Sequence, residues 1–195
     1  EIVFVSGGTE ANNLAVEGTL RRCGGALVVS TIEHPSVLEC AAHLERQGAV
    51  VRWAAASASG VAGRQAVRDS LLGQRVSLVS LMLANNETGC IQPVREAAAE
   101  AHSHGALLHT DAVQAVGRMP VDVRDLGVDL LTLSAHKIGG PKGIGALWCR
   151  IGARPLPILH GGAQEDGARA GTENVAAAVG FGRAAQLAAA RAETY

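Results

Sequence analysis

Only two lysines, Lys137 and Lys142, occur among the 17 Lys+Arg residues of this 195-residue chain. Both fall in one run, Ser134-Ala135-His136-Lys137-Ile138-Gly139-Gly140-Pro141-Lys142-Gly143. Wherever else the chain carries a positive side chain it uses arginine, whose guanidinium cannot lose its proton at ordinary pH. A lysine amine can, and can then attack a carbonyl carbon and remain bound to it. The Ser-x-His-Lys run therefore points to covalent amine chemistry at Lys137. Lys142 sits in a glycine- and proline-rich turn and is assigned no chemistry.

Other residues of the right type recur at the ends of apolar runs. In His109-Thr110-Asp111-Ala112-Val113-Gln114, the carboxylate of Asp111 closes a buried run, where an isolated charge is costly without a cation. A protonated pyridine nitrogen would serve, and the pairing would make such a ring an electron sink. Gln114 lies three residues on, within reach of the same group if a helical turn follows. Ile32-Glu33-His34-Pro35 offers the flat imidazole of His34, able to stack on a ring and to move protons. Ser6-Gly7-Gly8-Thr9 frees the backbone N–H groups of a strand-to-helix turn for a phosphate, with the Thr9 hydroxyl added. Its spacing matches neither a dinucleotide fingerprint nor a Walker A loop. Ala84-Asn85-Asn86-Glu87 places two amides and a carboxylate after an apolar run, and reads as the wall of a site.

The elements that must position these groups follow from the apolar pattern. Residues 2–6, 26–31, 50–55, 76–83, 106–110, 129–134 and 143–149 read as short buried strands. Residues 10–20, 35–47, 64–72, 94–104 and 173–192 read as helices. Pro35 and Pro93 suit first helical turns, and Gly48 and Gly105 suit helix stops. Strand–helix alternation of this kind predicts a three-layer α/β fold, with a mostly parallel sheet covered by helices on both faces. Residues 56–63, mostly small, read as a surface turn and not as a domain boundary. In such sheets a ligand sits outside the carboxyl ends of the strands. All five groups of polar residues fall there.

Composition narrows the partners. The chain is 48% hydrophobic and 18% charged with net charge −1, which gives no basic surface to favour nucleic acid. No apolar run is long enough to span a bilayer. Glu1-Ile2-Val3-Phe4-Val5 carries no basic leader, so the expected setting is cytoplasmic. Cys23, Cys40, Cys90 and Cys149 show no C-x-x-C spacing, so no metal site is expected.

The runs SGGTEANN, TIEHPSV, LANNETG, HTDAVQAVG, SAHKIGGPKGIGAL and GARAGTEN resemble the cysteine desulfurase and selenocysteine lyase group. These are pyridoxal 5'-phosphate (PLP) enzymes of the class V aminotransferase family, with the type I fold. The resemblance covers the whole chain in order. It implies that Lys137 carries the cofactor covalently, that His34 stacks on its ring, and that Asp111 pairs with the pyridine nitrogen. It further implies that Gln114 bonds the phenolic oxygen and that Asn86 contacts the cofactor or substrate. Gly8, Thr9, Ser134 and His136 would hold the phosphate. Thr172 would reach the phosphate of the neighbouring subunit in a homodimer.

The resemblance also implies what lies elsewhere. In the family, a catalytic cysteine on a mobile loop takes the sulfur, and an arginine grips the substrate carboxylate. Both lie downstream of residue 195, and none of the four cysteines aligns with that nucleophile. Residues 1–195 are thus expected to form the PLP-binding large domain, truncated at both ends, without the small C-terminal domain. The implied reaction converts L-cysteine to alanine and an enzyme persulfide, with a sulfur-acceptor protein as a further partner. A selenocysteine lyase or another class V enzyme shares the same cofactor residues. A non-catalytic α/β ligand-binding domain leaves Lys137 and Asp111 without a task.

Overall fold

The computed structural model describes residues 1–192. Its strands are β1 (Ile2–Val5), β2 (Ala26–Ser30), β3 (Val51–Ala54), β4 (Val76–Ser80), β5 (Leu107–Asp111), β6 (Leu130–Ser134) and β7 (Gly145–Cys149). The helices are α1 (Gly8–Cys23), α2 (Pro35–Arg46), α3 (Arg64–Leu71), α4 (Val94–Ser103), α5 (Val123–Leu126) and α6 (Val175–Ala192). Every residue of β2 and β4 is buried. That is why both are dominated by valine and leucine, with serines as their only polar residues: a parallel strand covered on two faces has no solvent side to show.

The strands form one sheet in the order β1-β7-β6-β5-β4-β2-β3. The pairs β2/β3, β2/β4, β4/β5 and β5/β6 are parallel. Strand β7 runs antiparallel to both of its neighbours, β1 and β6. Two reversals restore the direction, so β1 points the same way as the parallel set. The carboxyl ends of β1, β2, β4, β5 and β6 therefore share one edge, and the polar runs that follow them converge there.

Helices cover both faces. Leu27 and Val29 of β2 pack with Leu14 of α1 and with Val37 and Leu44 of α2. The intervening Val28 packs on the opposite side with Val67 of α3 and Ala97 of α4. The period-two alternation of a strand thus divides the core into two halves. Helix α6 packs against the turn after β6 through Ala177 and Phe181. Among the described residues no helix is long and apolar enough to cross a membrane.

Local signals explain most boundaries. Pro35 opens α2, and Gly48 and Gly105 follow their helices with φ of 93° and 72°. Pro93 stands one residue outside α4, as its N-cap. Strand β4 stops at Ser80, earlier than the apolar run suggests, yet Leu81 N and Leu83 N still donate to His109 O (3.1 Å) and Asp111 O (2.9 Å). The apolar pattern did not reveal α5, whose single turn buries no residue; Asp122 caps it and Gly127 ends it in the left-handed conformation.

One glycine brings the outer strand to the site. In β7, Gly145 lies level with Val5 of β1 on one side and Ser134 of β6 on the other. A Cβ there would lie 2.7 Å from both Gly7 C and Leu133 O. The absent side chain lets the end of β1 close on the end of β6.

Candidate active site at the strand ends

A cleft opens at this shared edge. Its walls include Gly8 and Thr9 after β1, His34 after β2, Asn86 after β4, Asp111 and Gln114 after β5, and Ser134, His136 and Lys137 after β6. Every sequence-predicted site residue except Thr172 lines it. Thr172 lines a separate cleft with Ser6 and Arg169.

The first wall is the start of α1. Gly7 caps the helix without a side chain, and its carbonyl accepts from Ala11 N at 3.1 Å. The N–H groups of the first turn have no partner within the helix and carry its positive dipole end. Glu10 sits in that turn, but its carboxylate is engaged away from the cleft. Arg169 Nε donates to Oε1 at 2.8 Å and Ser6 N donates to Oε2 at 2.8 Å. Burial pushes the Glu10 carboxyl up, but these bonds outweigh it and hold the group below its ordinary value. A Cβ on Gly8 would lie 3.1 Å from Val113 Cγ2 and 3.6 Å from Ser134 Cβ. The missing side chain leaves that space as a cradle.

The opposite wall is the turn after β6. Residues Ala135–Ile138 make one tight helical turn, ended by Gly139 at φ 83°. Ser134 Oγ and His136 Nδ1 lie 2.9 Å apart. Lys137 projects from the same turn into the cleft, whereas Lys142 is exposed in the next turn and lies outside it.

The floor is Asp111, 5% exposed. Its Oδ1 accepts from Val113 N at 2.9 Å and its Oδ2 from the Asn12 amide at 2.7 Å. Among the described residues no arginine or lysine forms an ion pair with it. Burial pushes its carboxyl up, against the pull of the Asn12 and Val113 bonds and of His34. A buried carboxylate in that condition calls for a cation from a ligand.

His34 is the N-cap of α2, and its Nδ1 accepts from Ser36 N at 3.1 Å. Asn86 lines the cleft, but its neighbours do not. Asn85 Oδ1 accepts from Glu87 N (3.0 Å) and Thr88 N (2.9 Å), and its Nδ2 donates to Ile32 O (2.9 Å). The expected site wall thus reduces to Asn86, with Asn85 holding the turn and Glu87 exposed.

Sequence reasoning did not single out Asn12, Ser36, Met82 or Val113, all of which line the cleft. For Asn12 a signal existed: it follows Gly8 by one helical turn and so faces the same way. His109, quoted beside Asp111, is fully buried between Ser80 Oγ (2.9 Å) and Thr132 Oγ1 (3.0 Å). Burial lowers its pKa to about 3, so it is a neutral cross-strand tie and not a proton carrier.

These features define a cleft of the open α/β-sheet class, built where five co-directional strands end, the place where such sheets take their ligands. The model of the class-V aminotransferase family matches residues 1–194, and the chain belongs to that family. It is 51% identical over 191 residues to a cysteine desulfurase of Cereibacter sphaeroides, covering 96% of this chain and 49% of that protein. It is 45% identical over 191 residues to the cysteine desulfurase IscS of Dictyoglomus turgidum, covering 96% and 48%. Among solved structures, a NifS-like protein superposes with TM-score 0.93 at 36% identity over 100% of this chain and 54% of that one. SspA in complex with cysteine superposes with TM-score 0.89 at 39% identity over 95% and 55%. The chain spans about half the length of the curated relatives it matches.

Proposed function

We propose that the cleft holds PLP and that the chain is the cofactor-binding part of a cysteine desulfurase acting on L-cysteine. The observation that carries the reading is the convergence of an amine (Lys137) and a buried, uncompensated carboxylate (Asp111) on one cleft with a helix-end cradle. The donor set fits the group. Gly8 leaves space that a Cβ would fill. Asn12 Oδ1 is buried with no partner in the chain. Asp111 is a buried carboxylate that an incoming cation would relieve. The family membership, the cysteine desulfurases among the relatives and the cysteine complex of SspA support the same conclusion.

When bound, PLP supplies an aldehyde that takes up amines and a ring that draws electrons from the α-carbon of an amino acid. The chain's residues would do the rest. Gly8 and Thr9 at the start of α1, with Ser134 and His136 opposite, hold the phosphate. Asp111 keeps the proton on the ring nitrogen, and its burial strengthens that pairing. Gln114 and Asn86 fix the ring's polar edge, and His34 covers its face. The Lys137 amine would anchor the group and would move the α-proton of the substrate. Thr172 serves the site of a second copy, consistent with its place in a separate cleft. The groups that take the sulfur and bind the substrate carboxylate belong to a further part of the protein, and a sulfur-acceptor protein would relieve the product.

The test uses the full-length protein. With PLP and L-cysteine it yields alanine in step with protein-bound persulfide, which an added thiol reductant releases as sulfide, and Lys137→Ala abolishes both. A keto acid as product, or undiminished turnover in Lys137→Ala, would refute the reading.

A further inference from the structure

Asn12 lies inside α1, is 1% exposed, and spends both N–H groups of one amide on two different parts of the site. Its Nδ2 donates to Asp111 Oδ2 at 2.7 Å and to Ser36 Oγ at 2.8 Å. A buried polar side chain in a helix needs a reason, since an apolar residue would pack there without desolvation cost. Its orientation is dictated by its partners. Turning the amide over would set Oδ1 against the carboxylate oxygen of Asp111, acceptor against acceptor.

The second bond continues the chain. Ser36 N lies 3.1 Å from His34 Nδ1, and a backbone N–H can only donate, so Nδ1 is an acceptor. Ser36 Oγ lies 2.7 Å from the same nitrogen. Having accepted from Asn12, the hydroxyl directs its own proton to Nδ1. The ring proton of neutral His34 therefore sits on Nε2. One amide thus ties the carboxylate beneath the cleft to the imidazole at its side.

We propose that Asn12 is a positioning residue: it orients the Asp111 carboxylate as an acceptor facing the cleft and, through Ser36, locks the orientation of His34. This deepens the PLP reading and rests on it for the identity of the ring. The charged or titratable groups that face Asp111 are Glu33 and His34 in the turn before α2, and His136 and Lys137 across the cleft. None of them replaces the two donors on Oδ1 and Oδ2. Without Asn12 the carboxylate keeps Val113 N alone, and burial favours its neutral form more strongly.

The experiment compares the full-length protein with Asn12→Leu, which keeps the volume and removes the donors, and with Asn12→Ala should the leucine variant fail to fold. Two readouts are taken. The first follows the Asp111 carboxyl carbon by NMR against pH in the PLP-free protein. The proposal expects its midpoint to rise in the variant. An unchanged midpoint overturns it, whatever the ligand. The second measures PLP affinity against pH by the fluorescence of the bound cofactor. Near neutral pH it should fall about tenfold, as expected for one lost bond to a charged group. The gap to the parent should narrow as pH rises and the variant's carboxyl ionises. A loss of equal size at every pH marks a merely structural residue and overturns the proposal. A parent protein that binds no PLP, with the Asp111 midpoint still moved, refutes the cofactor reading and leaves the role of Asn12 standing.

Discussion

Replacing Glu33 by glutamine should remove a pH-dependent loss of stability. Glu33 is 4% exposed, and its Oε1 accepts from Ser30 Oγ and Met82 N, each at 2.6 Å. Its Oε2 is buried with no partner. Burial raises the carboxyl from 4.5 to about 8, aided by the charge of Asp111 and opposed by the two hydrogen bonds. The unfolded chain loses this proton at 4.5, whereas the folded chain keeps it up to about 8. The stability contribution is therefore full at acid pH, falls as pH rises through that window, and is flat above it. Each pH unit of the window costs at most about 1.4 kcal/mol. Between pH 6 and pH 9 the site should thus cost the parent at most about 3 kcal/mol, accrued over the two units below its folded pKa. Glu33→Gln keeps the oxygen that accepts both bonds and has nothing to ionise, so it escapes that cost. Urea unfolding of both proteins at the two pH values gives the difference directly, and other titrating groups cancel in the comparison. A stability difference between them that is the same at both pH values would refute the reasoning.

Other perturbations follow from the same geometry. In Gly145→Ala the new Cβ meets only backbone atoms at 2.7–2.8 Å, so β1 and β6 must separate. Calorimetry should show a loss of about 1–3 kcal/mol, with weaker PLP binding because Gly8 and Ser134 move apart; an unchanged melting temperature would count against this account of the cradle. Asp129 is fully buried and accepts from Arg150 Nε (2.6 Å) and Leu108 N (2.8 Å), with His102 Nε2 at 2.8 Å. Asp129→Ala should destabilise by about 3 kcal/mol, the low end for a broken buried ion pair because Arg150 and His102 both reach solvent; a loss under about 1 kcal/mol would mean the cluster is not a structural tie.

The sequence made the strand ends legible because burial on two faces leaves a parallel strand predominantly apolar. Asp111 and Lys137 stood out as chemically capable residues at or just after the ends of such runs. The reversal of β7 was not legible, since residues 143–149 are as apolar as the strands beside them. It decides that β1 ends at the site. The burial of Asn12 and Glu33 was hidden for a different reason. Each is a polar residue in a helix or turn, where exposure is the ordinary state, and only long-range packing buries it. Asn12 meets Asp111 across 99 positions, and Glu33 meets Met82 across 49. The asparagine pair after β4 misled in the other direction, because Asn85 satisfies its own turn and leaves Asn86 alone at the cleft.

On the proposed function, Lys137 is the residue that carries the cofactor. Reduction of the PLP-loaded full-length protein with borohydride traps the cofactor on the amine that holds it, and peptide mass spectrometry locates the adduct. The pyridoxyl mass should appear on Lys137, be absent from Lys142 and be lost in Lys137→Ala. An adduct on Lys142 or on any lysine outside this run, with Lys137 unmodified, would contradict it.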